Sequence, residues 1–209
     1  MKVLGINGSP RKSGNSASML EAALSGASEK GAETELIHLS DLNFSGCKSC
    51  FACKRLGGAS FAKCALSDDL KAVLEKILAA DAVIFAMPIY FGDVPGMVRN
   101  VFERLWFPGL LYEADGSTAY EKNKKIGLIY TMNVPDESMY KYLIANHKAI
   151  FEMFFGEAHT LCATDTMQFD DYSKYASEMF DAEAKKQSHE TKFPKDILAS
   201  CEFGNSLVM

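Results

Sequence analysis

The sequence predicts an α/β fold in which a doubly wound parallel sheet carries helices on both of its faces. Short, almost wholly apolar runs such as Ala82 to Met87 predict fully buried strands. The segments between these runs repeat their apolar residues at spacings of three and four, which is typical of amphipathic helices. Strands and helices alternate about five times, and right-handed crossovers between parallel strands place helices on both faces.

Each predicted strand is a short apolar or alternating run that ends at turn residues. The first strand runs into a Gly-Ser-Pro turn, and the second alternates polar and apolar residues around Leu36 and Ile37. Pro88 halts the third strand, and the fourth and fifth are again mainly apolar. The predicted strands are 2–6, 33–39, 82–87, 125–132 and 158–164.

Each predicted helix combines apolar periodicity with a signal for its start or its end. Gly31 and Gly156 end the first and fourth helices, because glycine adopts the conformation that closes a helix. Asp69 ends a Ser-Asp-Asp run that resembles an N-cap, and Pro95 stands near the start of the third helix. The predicted helices are 17–30, 70–78, 95–105, 138–155 and 172–187.

Length and composition predict one globular domain over residues 1–209, with 48% hydrophobic and 23% charged residues. It carries a cysteine-rich loop at 47–64, an insertion at about 106–123 that could be a lid or a subunit contact, and a C-terminal arm from about 190. The net charge of −5 argues against a nucleic-acid partner. No apolar run approaches the roughly 18 residues of a membrane span, and there is no signal-peptide pattern. We therefore expect a cytoplasmic protein without a membrane partner.

The loop after the first strand, residues 7–16, has the composition of a phosphate-binding loop. Two glycines allow close backbone approach, serine and asparagine side chains offer hydrogen bonds, and Arg11 and Lys12 offer positive charge. A helix N-terminus follows, which favours anions. The glycine spacing matches neither a Walker loop nor a dinucleotide fingerprint, so a phosphate monoester fits best. A plain strand-to-helix turn with polar caps is the alternative.

Two further loops follow neighbouring strands at the same sheet edge. The segment 87–96 combines prolines and glycines with flat or branched side chains, which can lie against a planar heterocycle. The segment 131–133 ends the next strand with small polar groups and a thioether. Ligands of open parallel sheets bind beyond the carboxyl ends of the strands, so these loops predict a common site.

Together these motifs resemble the NADPH-dependent FMN reductase family of flavodoxin-like proteins. The resemblance rests on Gly8-Ser9-Pro10-Arg11, Gly14-Asn15-Ser16 and Pro88-Ile89-Tyr90-Phe91-Gly92 with a Pro-Gly helix start, and it covers roughly residues 1–165. It implies a five-stranded sheet and noncovalent FMN. The implied phosphate site comprises Ser9, Arg11, Ser13, Gly14, Asn15 and Ser16, and the implied ring site comprises Pro88, Ile89, Tyr90, Phe91, Gly92, Thr131, Met132 and Asn133.

The cysteine-rich loop has the pattern Cys47-x2-Cys50-x2-Cys53-x10-Cys64. Four thiolates suit a [4Fe–4S] cluster or tetrahedral zinc, and free thiols are the third alternative. Neighbouring lysines and an arginine would stabilise the negative charge of a cluster. Next to an FMN site, the motif resembles the iron-sulfur flavoprotein branch of the family. Its third gap is longer than that branch leads us to expect, which puts Cys64 in question.

The resemblance implies a redox protein that links NAD(P)H, through FMN, to an iron-sulfur cluster or to a small acceptor such as a quinone. It also implies a homodimer or homotetramer. The alternatives are an electron carrier that serves a larger redox enzyme, an FMN reductase without a cluster, and a binding module that has lost FMN. The flavin chemistry requires no protein acid or base, so the sequence identifies no catalytic residue.

Overall fold

The computed structural model describes residues 1–208 and contains one five-stranded sheet. The strands are β1 (Lys2–Asn7), β2 (Glu33–His38), β3 (Ala82–Pro88), β4 (Lys124–Thr131) and β5 (Gly156–Ala163). Their order across the sheet is β2-β1-β3-β4-β5, and every neighbouring pair is parallel. All five predicted strands are therefore present, and the predicted fold class is confirmed.

Residues 1–208 form six α-helices, and five of them pack on the two faces of the sheet. The six helices are α1 (Asn15–Glu29), α2 (Leu70–Ala79), α3 (Gly96–Gly109), α4 (Lys141–Phe155), α5 (Ala182–Thr191) and α6 (Phe193–Val208). One core lies between the sheet and α2, α3 and α4, and a second core lies between the sheet, α1 and α6. Burial of both faces is the reason that the inner strands β1, β3 and β4 are mainly apolar. No helix within residues 1–208 is both long and apolar enough to cross a bilayer.

The last predicted helix, 172–187, is wrong in its first half. Residues Tyr172–Lys174 form a single 3-10 turn, and the α-helix begins only at Ala182. Asp181 defines that start, because its Oδ1 accepts a hydrogen bond from the backbone N–H of Ala184 at 3.0 Å. The preceding residues pack through their aromatic rings instead, with Phe169 stacked on Tyr175 at 4.1 Å.

The C-terminal residues from about 190, which the sequence predicts as an arm, form α6 and lie directly on α1. The hydroxyl of Ser200 donates to the carbonyl oxygen of Met19 at 2.6 Å. A Cβ atom at Gly204 would lie 1.8 Å from the oxygen of Ala23, so only glycine permits this approach. Glycine within the segment weakens its helical signal and at the same time allows the close packing.

The insertion at about 106–123 contributes to the core rather than forming a separate unit. Its first residues continue α3, where Trp106 stacks on Phe102 with ring centroids 4.6 Å apart. Tyr120 stacks on Phe155 at 5.3 Å, and its hydroxyl donates to the carbonyl oxygen of Leu105 at 2.8 Å. Trp106 and Tyr120, two aromatic residues of the insertion, thus pack inward.

Candidate functional site

A cavity of about 300 Å³ lies at the carboxyl edge of the sheet, where the loops after β1, β3, β4 and β5 meet. Its walls contain twelve of the fourteen residues predicted for the FMN site: Ser9, Arg11, Gly14, Asn15, Ser16, Pro88, Ile89, Tyr90, Phe91, Thr131, Met132 and Asn133. Ser13 and Gly92 belong to the same loops but do not line the cavity. Three lining residues that the sequence analysis missed are Thr166, Met167 and Gln168.

The loop after β1 is built around the buried side chain of Asn7. Its Oδ1 accepts a hydrogen bond from the N–H of Ser9 at 3.0 Å, and its Nδ2 lies 2.9 Å from Nδ1 of His38. The hydroxyl of Ser9 in turn accepts from the N–H of Arg11 at 3.1 Å. Asn7 therefore fixes the curvature that brings Ser9 and Arg11 to the cavity.

The N-terminus of α1 follows the same loop and favours a negatively charged ligand there. Gly14 is the N-cap, and no side chain caps the helix there. The first backbone N–H groups of a helix have no partner within it, so these groups favour a negatively charged ligand. Ser16 also lies at this end, where its Oγ is 2.7 Å from Oγ1 of Thr131 on β4. Lys12 contributes less, because its Nζ forms an ion pair with Asp41 at 2.5 Å.

The loop after β3 forms one rim of the cavity. The N–H of Ile89 donates to the carbonyl oxygen of Thr131 at 3.0 Å, which fixes the loop against β4. Tyr90 and Asp93 then pair across a two-residue turn in which Phe91 and Gly92 both have positive φ angles of 52° and 82°. This turn leaves the Phe91 side chain fully exposed at the mouth of the cavity.

The segment after β5, residues 165–168, crosses the site, and we call it the strap. In the sheet, β3 and β4 lie between β5 and β1, yet the strap reaches the loop after β1. There the carbonyl oxygen of Gln168 accepts from Nη1 of Arg11 at 2.6 Å, and that of Met167 accepts from Nδ2 of Asn15 at 2.9 Å. Main-chain oxygens thus occupy two donors that the sequence assigns to a phosphate.

The structure does not bring the four predicted cysteine ligands together. Cys47 and Cys50 are exposed, Cys53 is buried, and Cys64 is half-buried. Nε of the buried Arg104 donates to Sγ of Cys64 at 3.2 Å. Burial raises the pKa of Cys53, and neighbouring Lys54 offsets part of that rise. Across residues 1–208, no three His, Cys, Asp or Glu side chains are arranged to hold a metal ion.

The cations near the cysteines fasten the loop instead of surrounding a metal centre. Arg104 donates to the carbonyl oxygen of Ser45 at 3.0 Å and to Oδ2 of Asp68 at 2.6 Å, so it holds both ends of the cysteine loop. Lys54 donates to the carbonyl oxygens of Phe107 and Leu110 at the C-terminus of α3. Lys54 also lowers the pKa of Cys53, so it both fastens the loop and favours a thiolate at that position.

Comparisons with known proteins agree with this site. The model of the NADPH-dependent FMN reductase family matches residues 1–134. An iron-sulfur flavoprotein of Methanocaldococcus jannaschii is 39% identical over 104 residues, which are 50% of this chain and 51% of that protein. The iron-sulfur flavoprotein of Methanosarcina thermophila is also 39% identical over 104 residues, covering 52% of its length. The chain thus spans about half the length of these relatives.

Solved structures match over almost the whole chain. The NAD(P)H:quinone oxidoreductase from Methanothermobacter marburgensis has a TM-score of 0.69 at 19% identity, with 99% of this chain and 98% of that chain covered. An azoreductase from Bacillus anthracis has a TM-score of 0.68 at 16% identity, with 99% of both chains covered. At such identity these matches show the fold, which is flavodoxin-like. The match over residues 1–134 shows the family, and the predicted resemblance is confirmed: the chain belongs to the NADPH-dependent FMN reductase family.

Proposed function

We propose that this protein is an FMN-dependent oxidoreductase that takes electrons from NAD(P)H and passes them to a small acceptor such as a quinone. The observation that carries the proposal is the single cavity in which an uncapped helix N-terminus, a Pro- and Gly-rich rim and two polar loops converge. The family supports FMN as the cofactor. Two of the matched structures are a quinone oxidoreductase and an azoreductase, which suggests the class of acceptor.

The residues around α1 fit the phosphate of FMN. Ser9, Asn15 and Ser16 offer hydroxyl and amide donors, and Arg11 supplies a positive charge. A bound phosphate would replace the strap oxygens that these donors now engage at Arg11 and Asn15. The loop lacks the glycine pattern that admits a pyrophosphate, so we expect FMN to bind in preference to FAD.

The residues beyond the phosphate site fit a flat ring. Pro88, Ile89 and Tyr90 present apolar surface and main-chain groups on one side, and Thr131 to Asn133 close the other side. When bound there, FMN would supply the hydride-transfer chemistry. Among the lining residues that the structure describes, Arg11 and Tyr90 are the only ionisable ones. The residues of the cavity therefore bind and orient FMN and exclude water from it.

The cysteines do not fit a four-thiolate centre, so the proposal includes no electron transfer through one. The contact of Cys64 with Arg104 favours the FMN reductase without a cluster. Iron and sulfide analysis of anaerobically purified protein tests this directly, with Cys50→Ala as the comparison. About four irons per chain, lost in the variant, would restore the [4Fe–4S] prediction and require the loop to rearrange.

Binding of three flavins to the purified protein tests the cofactor assignment. FMN should quench its fluorescence on binding, riboflavin should bind more weakly because it lacks the phosphate, and FAD should bind more weakly because of its diphosphate. The Asn15→Glu/Ser16→Asp double variant should abolish binding, since two carboxylates would repel the phosphate. Ser25→Asp/Ser28→Asp adds the same charge to exposed positions of α1 and should bind normally. Stoichiometric FMN in the first variant would contradict the assignment.

Steady-state oxidation of NADH and NADPH then tests the activity. Turnover with a quinone as the only acceptor supports the oxidoreductase. A protein that binds FMN but is reduced and reoxidised only by a partner protein would instead be an electron carrier.

A further inference from the structure

Lys185 on α5 is a lysine whose charge lies inside the protein. It is only 8% exposed, although lysine is among the residues least often buried. Its Nζ donates to the carbonyl oxygen of Asn133 at 2.7 Å and to Oδ1 of Asp165 at 2.6 Å. Neither partner lies near Lys185 in the sequence, so the ammonium joins three separate segments of the chain.

The two partners belong to two different walls of the flavin cavity. Asn133 ends the loop after β4 and lines the cavity, and Asp165 is the first residue of the strap. Asp165 has a φ angle of 56°, a conformation that costs energy for a residue other than glycine and requires support from its surroundings. The pair with Lys185 supplies that support at the point where the strap leaves β5.

Other groups of α5 and of the turn that precedes α6 hold the same point. The hydroxyl of Ser188 donates to the carbonyl oxygen of Asp165 at 3.2 Å, and Nζ of Lys192 donates to that of Thr164 at 3.0 Å. Burial pushes the pKa of Asp165 upward, but the hydrogen bonds from Lys185 and Ser188 outweigh it and leave the pKa lowered. Asp165 is therefore ionised at neutral pH.

The far end of the strap contacts the predicted phosphate-binding residues, so the hydrogen bonds at Asp165 affect the ligand site. Met167 and Gln168 lie on Asn15 and Arg11, and the side chain of Gln168 accepts from Nδ2 of Asn133 at 3.1 Å. A displacement at Asp165 would therefore be transmitted to the cavity wall and to the phosphate donors. A binding site keeps its affinity only when the residues behind it hold its walls in place.

We propose that Lys185 is a positioning residue for the cofactor, which locks the strap and the loop after β4 into one rigid wall of the flavin cavity. This inference rests on the proposed function, because it takes FMN as the ligand of that cavity. Lys185 touches two supporting groups and does not itself line the cavity, so its effect is on the affinity and orientation of FMN.

The chain offers a matched control in the next residue. Lys186 is exposed, so Lys186→Met makes the same chemical change on the same helix without touching the cavity. We expect Lys185→Met to raise the Kd for FMN by about tenfold or more and to alter the visible circular dichroism of bound FMN. Lys186→Met should leave both unchanged, and Lys185→Arg should recover part of the affinity because it restores the charge.

Asp165→Asn is a second test of the same ion pair, because it keeps the lysine and removes its charged partner. It should also weaken FMN binding, and the double variant with Lys185→Met should bind no worse than Lys185→Met alone, since the two residues act as one unit. If Lys185→Met does not fold, Asp165→Asn decides the question. Failure of the wild-type chain to bind FMN would overturn this inference together with the proposed function. Normal FMN affinity in folded Lys185→Met or in Asp165→Asn, beside a wild type that binds FMN, would overturn this inference alone.

Discussion

A fall in pH from about 7.5 to about 5 should destabilise this protein through one buried side chain, His147. His147 is only 1% exposed, and its Nδ1 lies 3.1 Å from the hydroxyl of Tyr130. The ring of Phe102 packs edge-on against the imidazole at 5.3 Å. Burial lowers the pKa of His147 to about 4, while Asp93 raises it and Arg99 lowers it.

The direction of this pH effect follows from the pKa values of His147 in the folded and unfolded states. In the unfolded chain the imidazole has its ordinary pKa of about 6.5, so protons bind the unfolded state more readily than the folded state. The stabilisation from neutral His147 is complete above about pH 6.5 and is lost as the pH falls toward about 4. The difference between these pKa values corresponds to about 3 kcal/mol in total, of which about 2 kcal/mol is lost by pH 5.

Urea unfolding at a series of pH values and a fixed FMN concentration measures this loss. His147→Gln keeps a polar group opposite Tyr130 but cannot titrate, so its free energy of unfolding should fall less steeply over the same interval. His159→Gln is the control, because the His159 side chain is 49% exposed. Parallel pH profiles for the wild type and His147→Gln would refute the reasoning.

Three other predictions concern an ion pair, a close contact between two helices, and the oligomeric state. Arg104→Met removes a buried guanidinium and leaves the half-buried Asp68 unpaired, which should cost about 1.5–3 kcal/mol in urea unfolding, whereas Arg99→Met breaks an exposed pair and should cost less than about 1 kcal/mol. Gly204→Ala forces α6 away from a main-chain carbonyl of α1 and should cost about 1–3 kcal/mol or more by the same assay; Gly96→Ala, with open space around it, should cost nothing. Light scattering at micromolar concentration with FMN should give a dimer or tetramer, since Tyr112 and other large apolar side chains are exposed; a strict monomer would contradict this.

The parts of the fold that the sequence predicts are those that local pattern determines. β3 is recognisable because a strand buried on both faces must be apolar at every position. The loop after β1 is recognisable because a phosphate needs glycine, hydroxyl and cationic groups within a few residues. α6 is not recognisable as a helix from the sequence, because its close packing depends on Gly204, a residue that lowers the helical signal of its own segment.

The strap is a part of the site that local sequence patterns do not predict. Residues 165–168 carry no motif, and they reach the phosphate loop although the order of the strands places β3 and β4 between β5 and β1. Their hydrogen bonds to Arg11 and Asn15 join positions more than 150 residues apart in the chain. A polar segment at the end of the fifth strand was the available signal, because all carboxyl ends of a parallel sheet lie at one edge.

Three cations that lie buried or half-buried account for the remaining differences. In the sequence, Lys54, Arg104 and Lys185 are three of 22 Lys and Arg residues, and charged side chains on helices and loops are usually solvated. In the structure each one joins a loop to a helix by donating to carbonyl oxygens. Because such partners come from distant parts of the chain, spacing alone could not predict that Arg104 donates to Cys64. A lysine or arginine side chain that joins a helix to a loop therefore indicates that the loop, and the site it builds, is held in a fixed place.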